Sequence, residues 1–429
     1  MQESVAVFLL IGLFAVMIIC HLPVTFAMVI ATATTMLYLN IPMMTMVQQM
    51  AKSVNSFSLL AIPFFILMGE IMGAGGISDR LLKFANVLVG RFRGGLAFVN
   101  VLASMFFGGI SGSAVADVSS LGKIEIPMME DAGYDKDFSI CVTVSSACQG
   151  LLIPPSHNMV LYAMTAGGVS VGRLFLAGYA PGILLGVALM VLCYIFAIKR
   201  NYPKGDPVSF KEALIITKDA VFAIGAMFII VGGVVAGLFT ATEAAAIGCI
   251  YCLLVATLVY HQLGFKDMGR ILYNTVKTLA MIYSLIAAAG AFAWMMAYLR
   301  IPAKFTGMLM DVSDNKIVVL LLINVLLLML GCIMDMAPLI LIMTPILLPV
   351  VQKFGMDPVQ FGIMLIANLA IGLLTPPVGS CLYAGCAVGG AKIEKVTKCM
   401  LPFYLTMVIV LLMITFIPAL SMTLPNLMM

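Results

Sequence analysis

Long apolar runs recur along the chain and are separated by short polar segments. Most are close to the ~20 residues that an α-helix needs to cross about 30 Å of hydrocarbon. The alternation in ~10-residue segments that is typical of a membrane β-barrel is not the pattern here. We therefore predict an all-α polytopic membrane protein. The runs cover residues 5–20, 22–40, 58–74, 174–197, 219–239, 244–260, 278–298, 317–333 and 400–424.

A short pattern of helix breakers occurs twice. Gly-Leu-Leu-Ile-Pro-Pro at 150–155 returns as Gly-Leu-Leu-Thr-Pro-Pro at 372–377, at an offset of 222 residues that holds without a gap over a longer window. Because each Pro removes a helical N–H donor, the pattern predicts broken helices at about 138–166 and about 360–387.

The segments just before the two breaks are also interrupted. Gly and Ser interrupt the stretch at about 105–137, and Asp, Thr and Pro interrupt the stretch at about 330–358. Both are predicted to be re-entrant hairpins, which persist at membrane depth only when buried in protein or lining a wet cavity. A kinked ordinary span is an equal explanation for one copy. Two copies at a fixed offset favour the paired broken helices of secondary transporters.

Lys and Arg are unevenly distributed when the runs are threaded through a membrane. With both termini outside, in the periplasm, 17 of the 23 basic residues fall on the cytoplasmic side, as the positive-inside rule expects. The two repeats then have inverted topologies. The predicted organisation is an N-terminal helix (1–21), a first inverted repeat (22–198), a cytoplasmic linker with a connecting helix (199–242) and a second inverted repeat (243–429).

Composition narrows the function by exclusion. The chain is 63% hydrophobic and only 10% charged, against roughly 25% charged residues in a soluble domain. No basic and aromatic stripe indicates a nucleic-acid partner, no Gly-x-x-x-x-Gly-Lys-[Ser/Thr] run indicates an ATP-driven pump, and no nucleophile–base pair or metal cluster indicates an enzyme. The first run lacks a cleavage site, so we interpret it as a retained helix. Energy is then expected from an ion gradient or from the substrate's own gradient.

A helix that stops in mid-membrane leaves carbonyl oxygens without N–H partners. The two breaks therefore predict two equivalent sites for a hard cation such as Na⁺, built largely from backbone oxygens. The first candidate set is Gly109, Ser111 and Ser113 of the hairpin with Gly150, Ile153, Ser156 and Asn158 of the broken helix. The second is Gly331 and Asp335 with Gly372, Thr375, Val378 and Ser380.

Acidic residues within apolar stretches are costly in lipid and are candidates for function. Asp335 is the strongest, with an N-cap role as the alternative. Asp117 is a weaker candidate beside the Ser-rich turn, and Glu70 fits helix packing as well as function. Glu243 follows Thr240 by three residues, which predicts a capping box rather than a site.

Five motifs together resemble the large membrane subunit of tripartite ATP-independent periplasmic (TRAP) transporters, over essentially the whole chain. They are Ala-Ile-Pro-Phe-Phe-Ile-Leu-Met-Gly at 61–69, Gly-Gly-Ile-Ser-Gly-Ser-Ala-Val-Ala-Asp at 108–117, Ile-Pro-Pro-Ser at 153–156, Thr-Glu-Ala-Ala-Ala at 242–246 and Leu-Leu-Thr-Pro-Pro-Val-Gly at 373–379.

The resemblance implies a Na⁺-coupled importer of an organic acid, such as a C4-dicarboxylate, sialic acid or another sugar acid, in the bacterial inner membrane. A soluble periplasmic binding protein would deliver the substrate, and a separate small four-helix membrane subunit would be a partner. The fold would be an elevator-type transporter, with a scaffold and a mobile domain that carries both hairpins.

The resemblance also assigns roles to the candidate residues. Sodium would be held by Gly109, Gly150, Ile153 and Ser156 in one half and by Gly331, Gly372, Thr375 and Val378 in the other. Substrate would lie near Ser111, Ser113, Asn158 and Asp335.

Three other functions remain as alternatives. A self-sufficient anion symporter of similar architecture would need no binding protein. A passive channel would need a continuous polar lining, whereas the sequence shows two isolated polar clusters. A membrane enzyme is the least supported, because no catalytic group stands out.

Overall fold

The computed structural model describes residues 2–205 and 208–429, with the side chains of Gln2, Ser58, Gly109, Ile110, Ser111, Phe265, Leu309 and Val312 left out of the description. The described residues form α-helices joined by short turns, with no named strand, which confirms the predicted all-α class. Among them, six helices are long and apolar enough to cross a membrane, or seven if one bent pair counts as a single span.

The chain begins with five helices that lead into the first hairpin. A 72° bend separates the last two, at Gly76, whose φ of +67° is left-handed and suits a residue without a Cβ. These helices are α1 (Gln2–Ile19), α2 (Val24–Tyr38), α3 (Met43–Val54), α4 (Ala61–Ala74) and α5 (Ile77–Val89).

The first hairpin and first broken helix follow. The hairpin's leading arm begins at Gly95, earlier than the predicted limit of 105, because the polar loop before it ends at Gly94, whose φ is +76°. The hairpin consists of α6 (Gly95–Ser111), α7 (Ala114–Ser120) and α8 (Gly122–Asp131), and the broken helix consists of α9 (Lys136–Gly150) and α10 (His157–Thr165).

Five helices then lead to the second hairpin. Thr240 and Glu243 form the predicted capping box: the Glu243 amide donates to Thr240 Oγ1, and the Thr240 amide donates to Glu243 Oε2. These helices are α11 (Val171–Lys199), α12 (Phe210–Val235), α13 (Ala241–Leu254, extended by a π-helical turn Val255–Val259), α14 (Phe265–Tyr298) and α15 (Ile301–Val312).

The second half repeats the pattern of hairpin and broken helix. Asp357 caps its broken helix through the Val359 amide, at 2.7 Å, with Pro358 as the first helical residue. The elements are α16 (Lys316–Gly331), α17 (Met336–Lys353), α18 (Pro358–Gly372) and α19 (Ser380–Gly389), followed by α20 (Ile393–Phe416) and α21 (Pro418–Met428).

The two broken helices lie at the centre of the molecule. Every residue of α9 from Phe138 to Gly150 is buried, as is every residue of α18 from Val359 to Gly372. α9 packs on α6, and α18 packs on α16. α14 packs on α2, α3 and α4, and α13 also packs on α4, so these helices form a separate group beside the hairpins.

Candidate functional site

The helix limits of the two halves coincide at the repeat offset. α9 and α18 begin at Lys136 and Pro358 and end at Gly150 and Gly372, and each pair is separated by 222 residues. Both Pro-Pro bonds that follow are cis. Because the two prolines donate no N–H, each helix ends at its Gly, and a tighter turn follows in which the Ile153 amide donates to Gly150 O and the Thr375 amide donates to Gly372 O.

Glycine contacts bring each hairpin against its broken helix. A Cβ added to Gly150 would lie 2.6 Å from Ser104 O and 2.9 Å from Gly108 Cα. A Cβ added to Gly372 would lie 2.6 Å from Gly331 Cα. The backbones therefore touch at both crossings, which only glycine permits.

These contacts include residues that sequence reasoning missed. The predicted residue in the first hairpin was Gly109, whose side-chain description, like that of Ser111, lies outside the described residues. The structure shows its neighbour Gly108 against Gly150, and Ser104 lies one turn earlier in α6. The Gly-Gly pair at 108–109 signalled a close approach, but the repeat offset selected only the second glycine.

At the first hairpin, the tip is tied to the second part of the broken helix. Gly112 turns the chain with a φ of +62°, and Ser113 caps α7 by accepting the Ala116 amide at 3.3 Å. Asn158 donates through Nδ2 to Gly112 O at 3.0 Å. Asn158, from the predicted substrate set, therefore holds the turn next to Ser113.

The second tip has an equivalent tie made with different chemistry. Asp335 takes the N-cap position of α17, yet its side chain makes no capping bond. Instead Asp335 Oδ1 accepts from Ser380 Oγ at 2.9 Å, and the Val378 amide donates to Cys332 O at 3.0 Å. Ser380 is the repeat partner of Asn158, and Asp335 is that of Ser113.

The two sites differ in burial. In the first half, Ile153 is 3% exposed and Ser156 is 1% exposed. In the second, Val378 is 46% exposed and Asp335 is also exposed, while Thr375 is half-buried with its hydroxyl donated to Ile371 O at 2.8 Å. The first site is closed over by protein and the second is open.

Ser156 gives the first site an unused ligand. Its Oγ is buried and has no hydrogen-bond partner among the described residues. A buried hydroxyl without a partner costs roughly 1–3 kcal/mol, so native proteins rarely keep one without a use. With the carbonyls of the interrupted helix nearby, this oxygen-only chemistry suits a hard cation such as Na⁺. No cluster of three His, Cys, Asp or Glu side chains in the described part of the chain offers a transition-metal site.

A cavity of about 510 Å³ lies beside the first tip, which is within the usual size range of small-molecule sites. Ser113 and His157 line it on the hairpin side, and Glu70, Asn274 and Arg270 line it on the side of α4 and α14. Asn274 Nδ2 donates to Glu70 Oε2 at 3.2 Å. Glu70 therefore lies on the wall of a cavity as well as in a helix contact.

Two buried carboxylates lie in the returning arm of the first hairpin. Asp117, a candidate from the sequence, is 1% exposed, and Glu125, which sequence reasoning missed, is fully buried. Neither carboxylate has a hydrogen-bond partner among the described residues. Glu125 resembled a surface residue in sequence because Lys123 and Glu130 surround it.

Comparison with known proteins agrees with this architecture. Residues 11–420 match the family described as "Tripartite ATP-independent periplasmic transporter, DctM component". The chain is 39% identical to the sialic acid TRAP transporter large permease protein SiaM of Vibrio cholerae, over 89% of each chain. It is 38% identical to the C4-dicarboxylate TRAP transporter large permease protein DctM of Pseudomonas aeruginosa, over 86% of each chain.

Among solved structures, the YdaH transporter of Alcanivorax borkumensis superposes with a TM-score of 0.62 at 16% identity, covering 88% of this chain and 89% of YdaH. At that identity the likeness concerns the fold alone, and it is a membrane-transporter fold. The homologues are transporter permeases rather than enzymes. The sequence match spans nearly the whole chain, and the predicted resemblance is confirmed: this protein belongs to the DctM family, the large permeases of TRAP transporters.

Proposed function

We propose that this chain imports an organic acid in symport with Na⁺, using the two broken-helix sites as cation sites. The observation that carries the proposal is the buried, unpartnered Ser156 hydroxyl beside the end of α9. The same helix break recurs at Gly372, with Thr375 and Val378 at equivalent positions. Carbonyls freed by a broken helix are the usual sodium ligands of secondary transporters.

The substrate class follows from the relatives and from the cavity. The relatives' names specify sialic acid and C4-dicarboxylates, which are both carboxylates. In this chain, Arg270 and Asn274 place a cation and amide donors in the cavity next to Ser113. An organic acid would lie there with its carboxylate toward these groups, and Asp335 at the other tip would orient its polar end.

Membership in the family implies partners. A periplasmic binding protein would deliver the substrate, and a small four-helix membrane subunit would pack beside this chain in the bilayer of the inner membrane. With both termini in the periplasm, the hairpins and broken helices would move as an elevator against the group formed by α1–α4, α13 and α14. The cavity between α4 and α7 lies at that boundary.

Uptake into proteoliposomes tests the proposal. Vesicles containing this chain and its small subunit would receive radiolabelled sialic acid or succinate, under an inward Na⁺ or K⁺ gradient, with and without the cognate binding protein. We expect uptake only with both Na⁺ and the binding protein. Uptake with Na⁺ alone would indicate a self-sufficient symporter, and uptake indifferent to Na⁺ would reject the cation sites.

A variant pair links the uptake to the second tip. Asp335→Ala removes the acceptor of the Ser380 hydroxyl and should lower Na⁺-driven uptake at least tenfold. Asp314→Ala removes an exposed carboxylate that forms no ion pair with a described residue, and should leave uptake unchanged. Equal uptake by the two variants would contradict the role of Asp335.

A further inference from the structure

A basic cavity lies between α5 and α12, away from both hairpin tips. It has a volume of about 590 Å³, and its charged lining residues are Arg80, Lys83, Lys218 and Asp219. Three positive charges face one negative charge, so the cavity has an excess of two positive charges. By the distribution of basic residues, this end of α12 faces the cytoplasm.

Arg80 is a fixed charge in this cavity. Its Nε donates to Asp219 Oδ2 at 2.9 Å, and its Nη1 donates to Gly76 O at 2.9 Å. The guanidinium lies 3.6 Å from the centre of the Tyr260 ring, and the Tyr260 hydroxyl donates to Asp219 O at 2.6 Å. The side chain is only 16% exposed. These contacts hold the guanidinium in place, while Nη2 has no hydrogen-bond partner among the described residues.

The two lysines are not neutralised by the protein. Lys83 and Lys218 are exposed, and neither forms an ion pair with a described residue. They stand on opposite walls, on α5 and α12. Two free ammonium groups beside a fixed guanidinium form a site for a multiply coordinated anion such as a phosphate.

A second cavity, almost entirely apolar, begins next to the first along the same two helices. It has a volume of about 610 Å³. Phe84 directly follows Lys83 on α5, and the lining of α12 continues from Ile224 to Val235. At 1.5 Å per residue, the lining of α12 from Lys218 to Val231 spans about 20 Å. Further apolar walls come from α6, α11 and α21, through Phe106, Tyr179 and Leu424.

We propose that this cleft binds one anionic phospholipid of the cytoplasmic leaflet. The headgroup phosphate contacts Arg80, Lys83 and Lys218, and an acyl chain lies along the apolar cavity. A free phosphate would use only the basic cavity, and a helix of a partner subunit would leave three cations facing apolar side chains. Both cavities have the size of a small-molecule site rather than of a docked helix. Basic pockets between helices on the cytoplasmic side suit anionic headgroups.

Gly232 allows the two parts of the site to be tested separately. It is exposed and lines the apolar cavity, and a Cβ added there would meet no atom within 4 Å. Gly232→Leu therefore fills the path of the acyl chain without a clash. Lys83→Gln with Lys218→Gln removes the free charges and leaves Arg80 and its partners intact. Gly307→Leu and the pair Lys266→Gln with Lys277→Gln are matched controls, because Gly307 also has open space and both lysines lie outside the cleft.

The experiment is native mass spectrometry of the delipidated, purified chain titrated with dioleoylphosphatidylglycerol, dioleoylphosphatidylcholine or inorganic phosphate. We expect one phosphatidylglycerol per chain, bound at least tenfold more tightly than phosphatidylcholine. The double lysine variant should weaken phosphatidylglycerol binding about 30-fold. Gly232→Leu should weaken lipid binding without changing phosphate binding, and the controls should bind as the unmodified chain does. Thermal unfolding of each variant checks that it is folded.

Three results would overturn the proposal. Equal binding of the two lipids would remove the role of the charges. Phosphatidylglycerol binding that survives Gly232→Leu but is lost in the lysine variant, together with phosphate binding, would show an anion site without an acyl groove. Loss of the small membrane subunit on Gly232→Leu, with lipid binding unchanged, would make the groove a protein contact.

Discussion

At the scale of single residues, Gly150 and Gly372 decide how closely a hairpin approaches its broken helix. Both lie where two backbones touch, and at both positions an added Cβ would meet backbone atoms that cannot rotate away. The cost of a side chain there is therefore paid by shifting a helix rather than a rotamer.

Gly150→Ala should destabilise the protein by about 1–3 kcal/mol, because the Cβ overlaps Ser104 O and Gly108 Cα. The measurement is the midpoint of thermal unfolding in detergent. Gly269→Ala is the control: it lies in α14, its Cβ would meet nothing within 4 Å, and Ala is the better helix former. An unchanged midpoint for Gly150→Ala would mean that the crossing is looser than the structure shows.

Ser156→Ala separates cation binding from folding. Without Na⁺ the variant should unfold at the same temperature or higher, since it loses a buried hydroxyl with no partner. The stabilisation that added Na⁺ gives to the unmodified chain should shrink in the variant. Thermal unfolding across a Na⁺ titration, with K⁺ at constant ionic strength, measures both effects.

Ser145→Ala is the matched control for Ser156→Ala. Ser145 is buried too, but its hydroxyl donates to Cys141 O at 2.7 Å. Its loss should lower stability equally in Na⁺ and K⁺. If Ser156→Ala behaves like Ser145→Ala, Ser156 is not a cation ligand.

At the scale of elements, the loop between α8 and α9 is tied to the end of α11. Asp135 accepts from the Tyr202 hydroxyl at 2.7 Å and from Arg200 Nη1 at 2.6 Å. The hydrogen bond from Tyr202 and the Arg200 guanidinium lower the pKa of Asp135 below its usual value. The linker after α11 is thus fastened to the hairpin, since Gly94 also donates to Pro203 O.

Asp135→Asn should lower the unfolding temperature at pH 7 and have little effect near pH 3. A carboxyl whose pKa is lower in the folded state stabilises that state above its unfolded pKa, and the contribution is lost as the pH falls through the folded value. The pair is partly exposed, so the effect should stay below about 1 kcal/mol. Thermal unfolding at the two pH values tests it, with Asp137→Asn as the control. An equal loss at both pH values would assign the effect to packing.

The sequence predicted the elements of the site better than its contacts. Helix breaks at Gly150 and Gly372 follow from local chemistry, because prolines lack the N–H that continues a helix. The partners of Asp335 and Asn158 depend on where a hairpin tip meets a helix more than 40 residues away in sequence. The burial of Glu125 also depends on tertiary packing, which no local pattern reports.

At the scale of the whole molecule, the largest polar cavity beside a hairpin lies between two groups of helices. α4 and α14 belong to one group, and α7 and α10 belong to the hairpin group. A cavity at such a boundary changes shape whenever one group moves against the other.

Gly73→Leu should abolish uptake and leave the fold intact. Gly73 lines the cavity, and a Cβ added there would meet no atom within 4 Å, so Leu occupies the cavity without displacing packed atoms. Uptake in proteoliposomes and thermal unfolding measure the two consequences. Gly307→Leu, which fills open space outside the cavity, should keep normal uptake. Normal uptake in Gly73→Leu would place the transport path elsewhere.

The unequal burial of the two tips has a kinetic consequence. An ion that reaches Ser156 must shed its water completely, and it can leave only when the surrounding helices separate. An ion beside the exposed Val378 can keep part of its hydration shell and exchange directly with solvent. In the conformation seen here, a long-lived occupant at one end of the protein would coexist with a rapidly exchanging one at the other. The order of arrival and departure would then be set by geometry rather than by affinity.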